Sequence, residues 1–313
     1  MLSNLLYALL FPGLLTCAFA GLLFAGIDRR LAARMQRRVG PPVTQCFWDF
    51  VKLLGKEVIV PDAASPRVFL AAPVVGLAAI ASCAVILPVF GIGRFVFTGD
   101  VIVLLYLLTL ASVALIAGGA ASGSPFAGVG ISRAVVCLMS YELPLVLILI
   151  AVCGASGDGE ATFSLLQIAA HQTAAGLHLF DWRLIPAALS MLLVIPCEVG
   201  SAPFDAAEAG IEICEGPLAE YSGWPLALFK LMHAIKMYVM SALFVALFLG
   251  GRVSGVFVLD TIVWIVSAAV VAVLSMTLCR GVCARLRVEQ IFRFFWGPVS
   301  ALALLSVILV WIF

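Results

Sequence analysis

Long apolar runs recur along the chain at 2–26, 68–90, 101–121, 131–153, 184–200, 224–249, 256–279 and 292–313. A helix needs about 20 apolar residues to cross a hydrocarbon core. The pattern therefore predicts an all-α polytopic membrane protein with about eight transmembrane helices. Only helices satisfy their own backbone along such unbroken runs, whereas barrel strands give alternating segments of about ten residues. The fifth run starts beside Pro186 and breaks at Pro196-Cys197-Glu198, which predicts a bent or interrupted helix. Ala18-Phe19-Ala20 in the first run looks like a signal-peptidase site, but no positive charge precedes it and the run is too long for an h-region. An uncleaved first helix is expected.

Composition narrows the class. The chain is 313 residues long, 64% hydrophobic and 11% charged, with a mean hydropathy of +1.19, and a soluble domain carries about a quarter charged residues. A soluble enzyme is excluded. Eighteen Lys and Arg against 17 Asp and Glu leave a net charge of +1, with no basic excess for nucleic acid. The bases fall unevenly: Arg29, Arg30, Arg34, Arg37, Arg38, Lys52, Lys56, Arg67, Arg133, Arg280, Arg285, Arg287 and Arg293 lie on one side, and Arg94, Arg183 and Arg252 on the other. The positive-inside rule puts the first side in the cytoplasm and both termini outside. No repeat or linker appears, so residues 1–313 read as a single transmembrane domain. It has a cytoplasmic basic loop at 27–67 and a cytoplasmic-side acidic loop at 198–223. Within the basic loop, Phe47, Phe50, Val51, Leu54 and Val58 share one helical face, away from Asp49, Lys52 and Lys56. That stretch reads as an amphipathic surface helix, either flat on the membrane or docked on another subunit.

Ionisable groups inside apolar runs are costly and mark candidate sites. Glu142 sits in the fourth run, in Ser140-Tyr141-Glu142-Leu143-Pro144, as a candidate proton acceptor or a carboxylate pinned by a lysine. Lys230, His233 and Lys236 recur every three residues in the sixth run and so form a drifting stripe that relays protons or pairs with acids on adjacent helices. Lys230 and Lys236 are only about 9 Å apart along the axis, so both cannot snorkel to opposite surfaces. The segment from Glu198 to Gly223 holds Glu198, Asp205, Glu208, Glu212, Glu215 and Glu220 and no base. Pro203-Phe204, Ile211, Ile213 and Pro217-Leu218 interleave apolar anchors with these acids, so a folded loop that titrates jointly is expected over a solvated one.

The nine cysteines (17, 46, 83, 137, 153, 197, 214, 279 and 283) include no C-x-x-C, and the three histidines form no ligand spacing. The cysteines read as small apolar filler, and no cofactor is expected in this chain.

Several of these residues resemble a known family. Gln36-Arg37-Arg38-Val39-Gly40-Pro41, with Lys52-Leu53 and Lys56-Glu57, is similar to the first-loop signature of the respiratory complex I subunit 1/H family. Ser140-Tyr141-Glu142 resembles its fourth-helix motif. Pro203-Phe204-Asp205-Ala206-Ala207-Glu208-Ala209, Glu212 and Glu220-Tyr221-Ser222-Gly223 resemble its acidic loop. The order is consistent from about Arg29 to Met240. Three departures stand out: Glu198-Val199-Gly200-Ser201 lacks the arginine of the usual Glu-x-x-Arg, Gly210 replaces a glutamate, and Gly40-Pro41-Pro42 replaces Gly-Pro-Asn. Glu215 to Gly223 looks closest to the membrane-anchor subunit of energy-converting, group 4 nickel-iron hydrogenases.

The resemblance implies a subunit that holds a cytoplasmic arm against antiporter-like membrane subunits moving H+ or Na+. The arm would consist of hydrogenase large and small subunits, carrying the nickel-iron site and iron-sulfur clusters. Glu142, Glu198, Asp205, Glu208, Glu212 and Glu220 would form its acidic path, with Glu215, Lys230, His233 and Lys236 beside it. Gln36, Arg37, Arg38, Gly40, Pro41, Lys52, Lys56 and Glu57 would face the arm. A prokaryotic cytoplasmic membrane is the expected location. The missing arginine weighs against a complete quinone pocket. Two alternatives remain: the quinone-site subunit of a complex I, and a free-standing channel or transporter, against which the lack of repeat symmetry counts.

Overall fold

The computed structural model describes residues 13–88, 97–157, 161–251 and 257–312. The start of the first run, the ends of the second and eighth, the first residue of the seventh, and the bases Arg94 and Arg252 lie outside them. The helices that form on the apolar runs are α1 (Leu14–Met35), α3 (Pro66–Ile86), α4 (Asp100–Ala121), α5 (Pro125–Ala155), α7 (Ile185–Val199), α8 (Gly223–Phe248), α9 (Val258–Val282) and α10 (Val288–Ile312). Between them lie the surface helix α2 (Gln45–Leu54) and the short α6 (Leu165–Ala175). Among the described residues, six are long and apolar enough to cross a membrane: α3, α4, α5, α8, α9 and α10. α7 is apolar but shorter, and α1, described only from Leu14, is not among the six, so six of the eight expected spans are matched among the described residues.

Helix ends follow local chemistry. Pro66 and Pro125 open α3 and α5 at first-turn positions, where a missing N–H costs nothing. α7 continues through Pro196 and ends at Gly200, which takes a left-handed conformation at φ +78°. The break predicted at Pro196-Cys197-Glu198 therefore falls just after it. At 15 residues α7 spans about 22 Å, short of the roughly 30 Å hydrocarbon core.

α8 is the central element: 94% of its most apolar stretch is buried, packed by α1, α2, α3, α7 and α9. A helix so covered by protein can carry charges that would be prohibitive against lipid. The approach of α1 requires Gly21, where a Cβ would stand 2.4 Å from the carbonyl oxygen of Ala234 on α8. At the end away from the basic loop, Gln172 of α6 donates to the carbonyls of Ala246 (3.1 Å) and Leu247 (2.9 Å), satisfying the last turn of α8.

Two expectations are corrected. The surface helix ends at Leu54, before Lys56 and Val58, and docks by one edge: Cys46 is buried and Phe47 and Phe50 are half-buried, while Trp48, Val51 and Leu54 are exposed. The docked edge packs on α8 and α1, with the rings of Phe19 and Phe47 5.3 Å apart. Six of the nine cysteines are buried, as filler should be, but Cys214 and Cys283 are exposed and Cys279 is half-buried.

Candidate functional site: a charged cavity over a buried ion pair

Four helices converge on Lys236. Its Nζ lies 2.8 Å from Oε1 of Glu198, on the last turn of α7, and donates to Oγ of Ser112 on α4 at 2.7 Å. Ser112 Oγ is 3.2 Å from the hydroxyl of Tyr141 on α5. Glu198, Lys236, Ser112 and Tyr141 thus follow one another in a line of polar contacts. Lys236 and Glu198 are 6% and 3% exposed, and two charges that deep persist only because each compensates the other's desolvation.

These residues border a cavity of about 640 Å³. Its floor includes Glu198, Lys236, Ser112 and Tyr141, and its rim carries the exposed Arg29 and, on and just beyond α2, Lys52 and Lys56. Asp28, Asp49, Asp205, Glu208, Glu215, Lys230, His233, Arg280 and Arg285 line the walls. Arg280 donates to Asp28 at 2.7 Å, Thr277 donates to the same carboxylate at 2.9 Å, and Arg29 meets Asp49 at 3.4 Å. The void thus runs from exposed bases to a buried ion pair through walls dense in ionisable groups. Such a space can hold water and pass protons between neighbouring carriers.

The acidic loop holds no base of its own, and two of its acids are paired with bases from elsewhere in the chain. Asp205 binds Arg285 in a two-pronged pair, and Glu212 binds Arg133 of α5 at 2.6 Å. The Arg133 hydrogen bond holds the Glu212 carboxyl below the usual range, and the Asp205 bonds raise the Arg285 guanidinium. Glu208 and Glu215 face the cavity, while Glu220 is exposed and does not line it. Burial first, then the charges of Glu215 and Asp205, push Glu208 up to about 7. The apolar anchors behave as predicted: Phe204, Ile213 and Leu218 are buried, and Phe204 stacks on Phe294 and meets Phe295 edge-on. The side chain of Ile211 lies outside the described residues.

The family model described as NADH dehydrogenase matches residues 8–311. The chain belongs to the NADH dehydrogenase subunit 1/H family. It is 35% identical to the H subunit of the NADH-quinone oxidoreductase of Thermomicrobium roseum over 90% of this chain and 87% of that one. It is 36% identical to hydrogenase-4 component C of Escherichia coli over 72% of this chain and 70% of that protein. Formate hydrogenlyase subunit 4 of the same organism is 33% identical over 88% and 89%. Among solved structures it resembles a chain of the membrane-bound sulfane sulfur reductase, an archaeal respiratory membrane complex. That match has a TM-score of 0.87 and 28% identity, covering 98% of this chain and 99% of that one. This family member is an integral membrane subunit of a complex I-like or membrane-bound hydrogenase-like assembly.

In this family member the position of the missing arginine is Ser201. It lines the cavity and donates its hydroxyl to the carbonyl of Pro196 at 3.2 Å. Glu142 is half-buried on α5 outside the cavity lining, close enough to Glu198 for their charges to interact. Gln36, Arg37, Arg38 and Pro41 are exposed, with Arg38 donating to Gln36 at 2.6 Å. Gly40 packs on α1, where a Cβ would sit 3.1 Å from the Cα of Arg30. Glu57 is exposed, and its carbonyl accepts from Ser222, whose oxygen in turn accepts from the N–H of Ile59 at 2.9 Å. Gly223 (φ +64°) lies against the same strand of loop, with a Cβ position 2.8 Å from the Glu57 carbonyl oxygen. The basic and acidic loops are therefore stitched together.

Sequence reasoning missed Ser112, the Asp28–Arg280–Thr277 cluster, and any role for Tyr141 beyond its motif. An aspartate at the end of an apolar run was a usable signal for Asp28. A single serine inside 101–121 carried none, because its partner lies on a helix more than a hundred residues away.

Proposed function

We propose that this chain is the membrane anchor and coupling subunit of an ion-translocating membrane-bound hydrogenase, linking electron transfer in a cytoplasmic arm to H+ or Na+ movement by antiporter-like subunits. In this reading the nickel-iron site and iron-sulfur clusters belong to the arm, and the 27–67 and 198–223 loops lie on its cytoplasmic side. The reading rests on one observation: a charged cavity beneath the first loop ends on the buried Glu198–Lys236 pair.

The contacts of Lys236 with Glu198 and Ser112 supply two arrangements of one ammonium. With Glu198 ionised, Lys236 is held by the carboxylate and by Ser112 together. A proton delivered along the cavity walls to Glu198 cancels the attraction and leaves Lys236 to Ser112. An element with two such states, biased from the arm on one side and from the ion path on the other, is what coupling between distant sites requires. Glu142, next to Tyr141 and electrically linked to Glu198, extends the path sideways.

A second reading, the quinone-site subunit of a complex I, is favoured by the same cavity and by the likeness to an NADH-quinone oxidoreductase. Mild-detergent purification with metal analysis and an H2 assay separates the two. Nickel with H2 evolution supports the hydrogenase reading. Flavin with quinone-dependent NADH oxidation supports the other and overturns the first.

A further inference from the structure

Two of the three histidines meet at the end of α8 away from the basic loop. His171 projects from α6, and His178 opens a single helical turn (His178–Phe180) between α6 and α7. Nδ1 of His171 lies 3.2 Å from Nε2 of His178, with ring centres 5.4 Å apart. Burial, the largest influence on His178, holds its imidazole below the ordinary range, so the ring is neutral at pH 7. Its Nδ1 is 3.0 Å from the carbonyl oxygen of Leu247, in the last turn of α8. A carbonyl only accepts, so Nδ1 carries the proton and Nε2 turns a lone pair towards His171. An imidazole whose far N–H is fixed on a backbone carbonyl is oriented as metal-ligating histidines are. His171 is half-buried and lines an open hollow with Ser156, Thr162 and Gln167. The Thr162 hydroxyl there has no hydrogen-bond partner among the described residues, which leaves a polar group for a bound water. Two nitrogens held by one tetrahedral zinc at about 2.0–2.1 Å each lie about 3.3 Å apart, and the two rings stand at that spacing. The neighbouring charges, Asp181 and Arg183, neutralise each other, and the end of α8 adds the partial negative charge of a helix C-terminus.

We propose that His171 Nδ1 and His178 Nε2 bind one divalent transition-metal ion of the zinc type, with water in the remaining positions. Without the ion the His171 Nδ1–H donates to His178 Nε2. On binding, that proton leaves Nδ1 and His171 carries one on Nε2 instead, so both ligating nitrogens present lone pairs and no net proton is released. Among the described residues no third His, Cys, Asp or Glu completes the set. The ion is therefore exchangeable, unlike one closed in by four protein ligands. It ties α6 to the turn that follows it, across the last turn of α8. The spacing of seven residues hides the pair in the sequence, because the two rings belong to different elements. Neither the hydrogenase nor the quinone reading depends on this site.

The test dialyses the whole complex against radiolabelled zinc, with wild type beside His171→Gln. Wild type is expected to hold one more exchangeable zinc per complex than the variant, and equal uptake would overturn the proposal. A second measurement needs wild type alone. Diethyl pyrocarbonate, which acylates a bare imidazole nitrogen, is applied with and without zinc, and the modified residues are mapped by mass spectrometry. At zinc about ten times the midpoint of the dialysis curve, modification of His171 is expected to fall on the order of tenfold, because its Nε2 then carries the proton. Unchanged modification, or none in the zinc-free complex, would mean that the rings share only a hydrogen bond and would overturn the proposal. Should the variant fail to assemble, this second measurement decides alone.

Discussion

Lys236 and Glu198 meet at 2.8 Å where the shortened α7 ends against the most deeply buried helix of the molecule. Removing one partner of such a pair leaves the other charge buried alone, at a cost of roughly 3–5 kcal/mol, whereas an apolar replacement of both is often close to neutral. Lys236→Met and Glu198→Leu are therefore each expected to lower the thermal stability of the purified complex more than the double substitution does. Additive losses in a double-mutant cycle would show that the pair is not coupled.

Glu142 does not line the cavity, but it directly follows Tyr141, which does. Glu142→Gln is expected to leave the complex assembled while reducing ion pumping in proteoliposomes. Full pumping by that variant removes Glu142 from the path.

Lys230 and His233 line the wall between the rim and Lys236. Replacing both by neutral, non-basic residues is expected to uncouple electron transfer from the ion gradient, seen as sustained turnover with a smaller gradient. Unchanged coupling would make the stripe purely structural.

Glu208 gives a pH signature. Its carboxyl is raised to about 7 from the ordinary 4.5, so between those values the folded protein binds more protons at this site than the unfolded chain. The contribution of this group to stability is complete below about 4.5, falls as pH rises, and is lost above about 7. Thermal denaturation of the complex across that window is expected to show this downward slope, and Glu208→Gln is expected to flatten it. An equal slope in the variant would assign the titration to another group.

Much of the fold was legible because lipid imposes a strong and local rule: each apolar run had to become a helix. Even the weak fifth run announced itself through Pro196 and Glu198, although the turn that ends it is set by Gly200. The site was legible only as an inventory. Glu198, Glu208, Lys230 and Lys236 stood out as charges in costly places, but their pairings depend on which helices pack together. Arg133 and Arg285 neutralise Glu212 and Asp205 from 79 and 80 residues away, and no spacing within 198–223 reveals them. The amphipathic pattern of the first loop likewise could not say which edge of α2 docks, because that depends on packing against α8 and α1, which are distant or separate in sequence.

The most direct test is the number of ions moved per electron transferred in proteoliposomes of the complex carrying Glu198→Gln, compared with wild type. Electron transfer in the arm should persist while that ratio collapses, because the ammonium of Lys236 loses the charge that switches it. A variant that turns over with the wild-type ratio would contradict coupling through this pair.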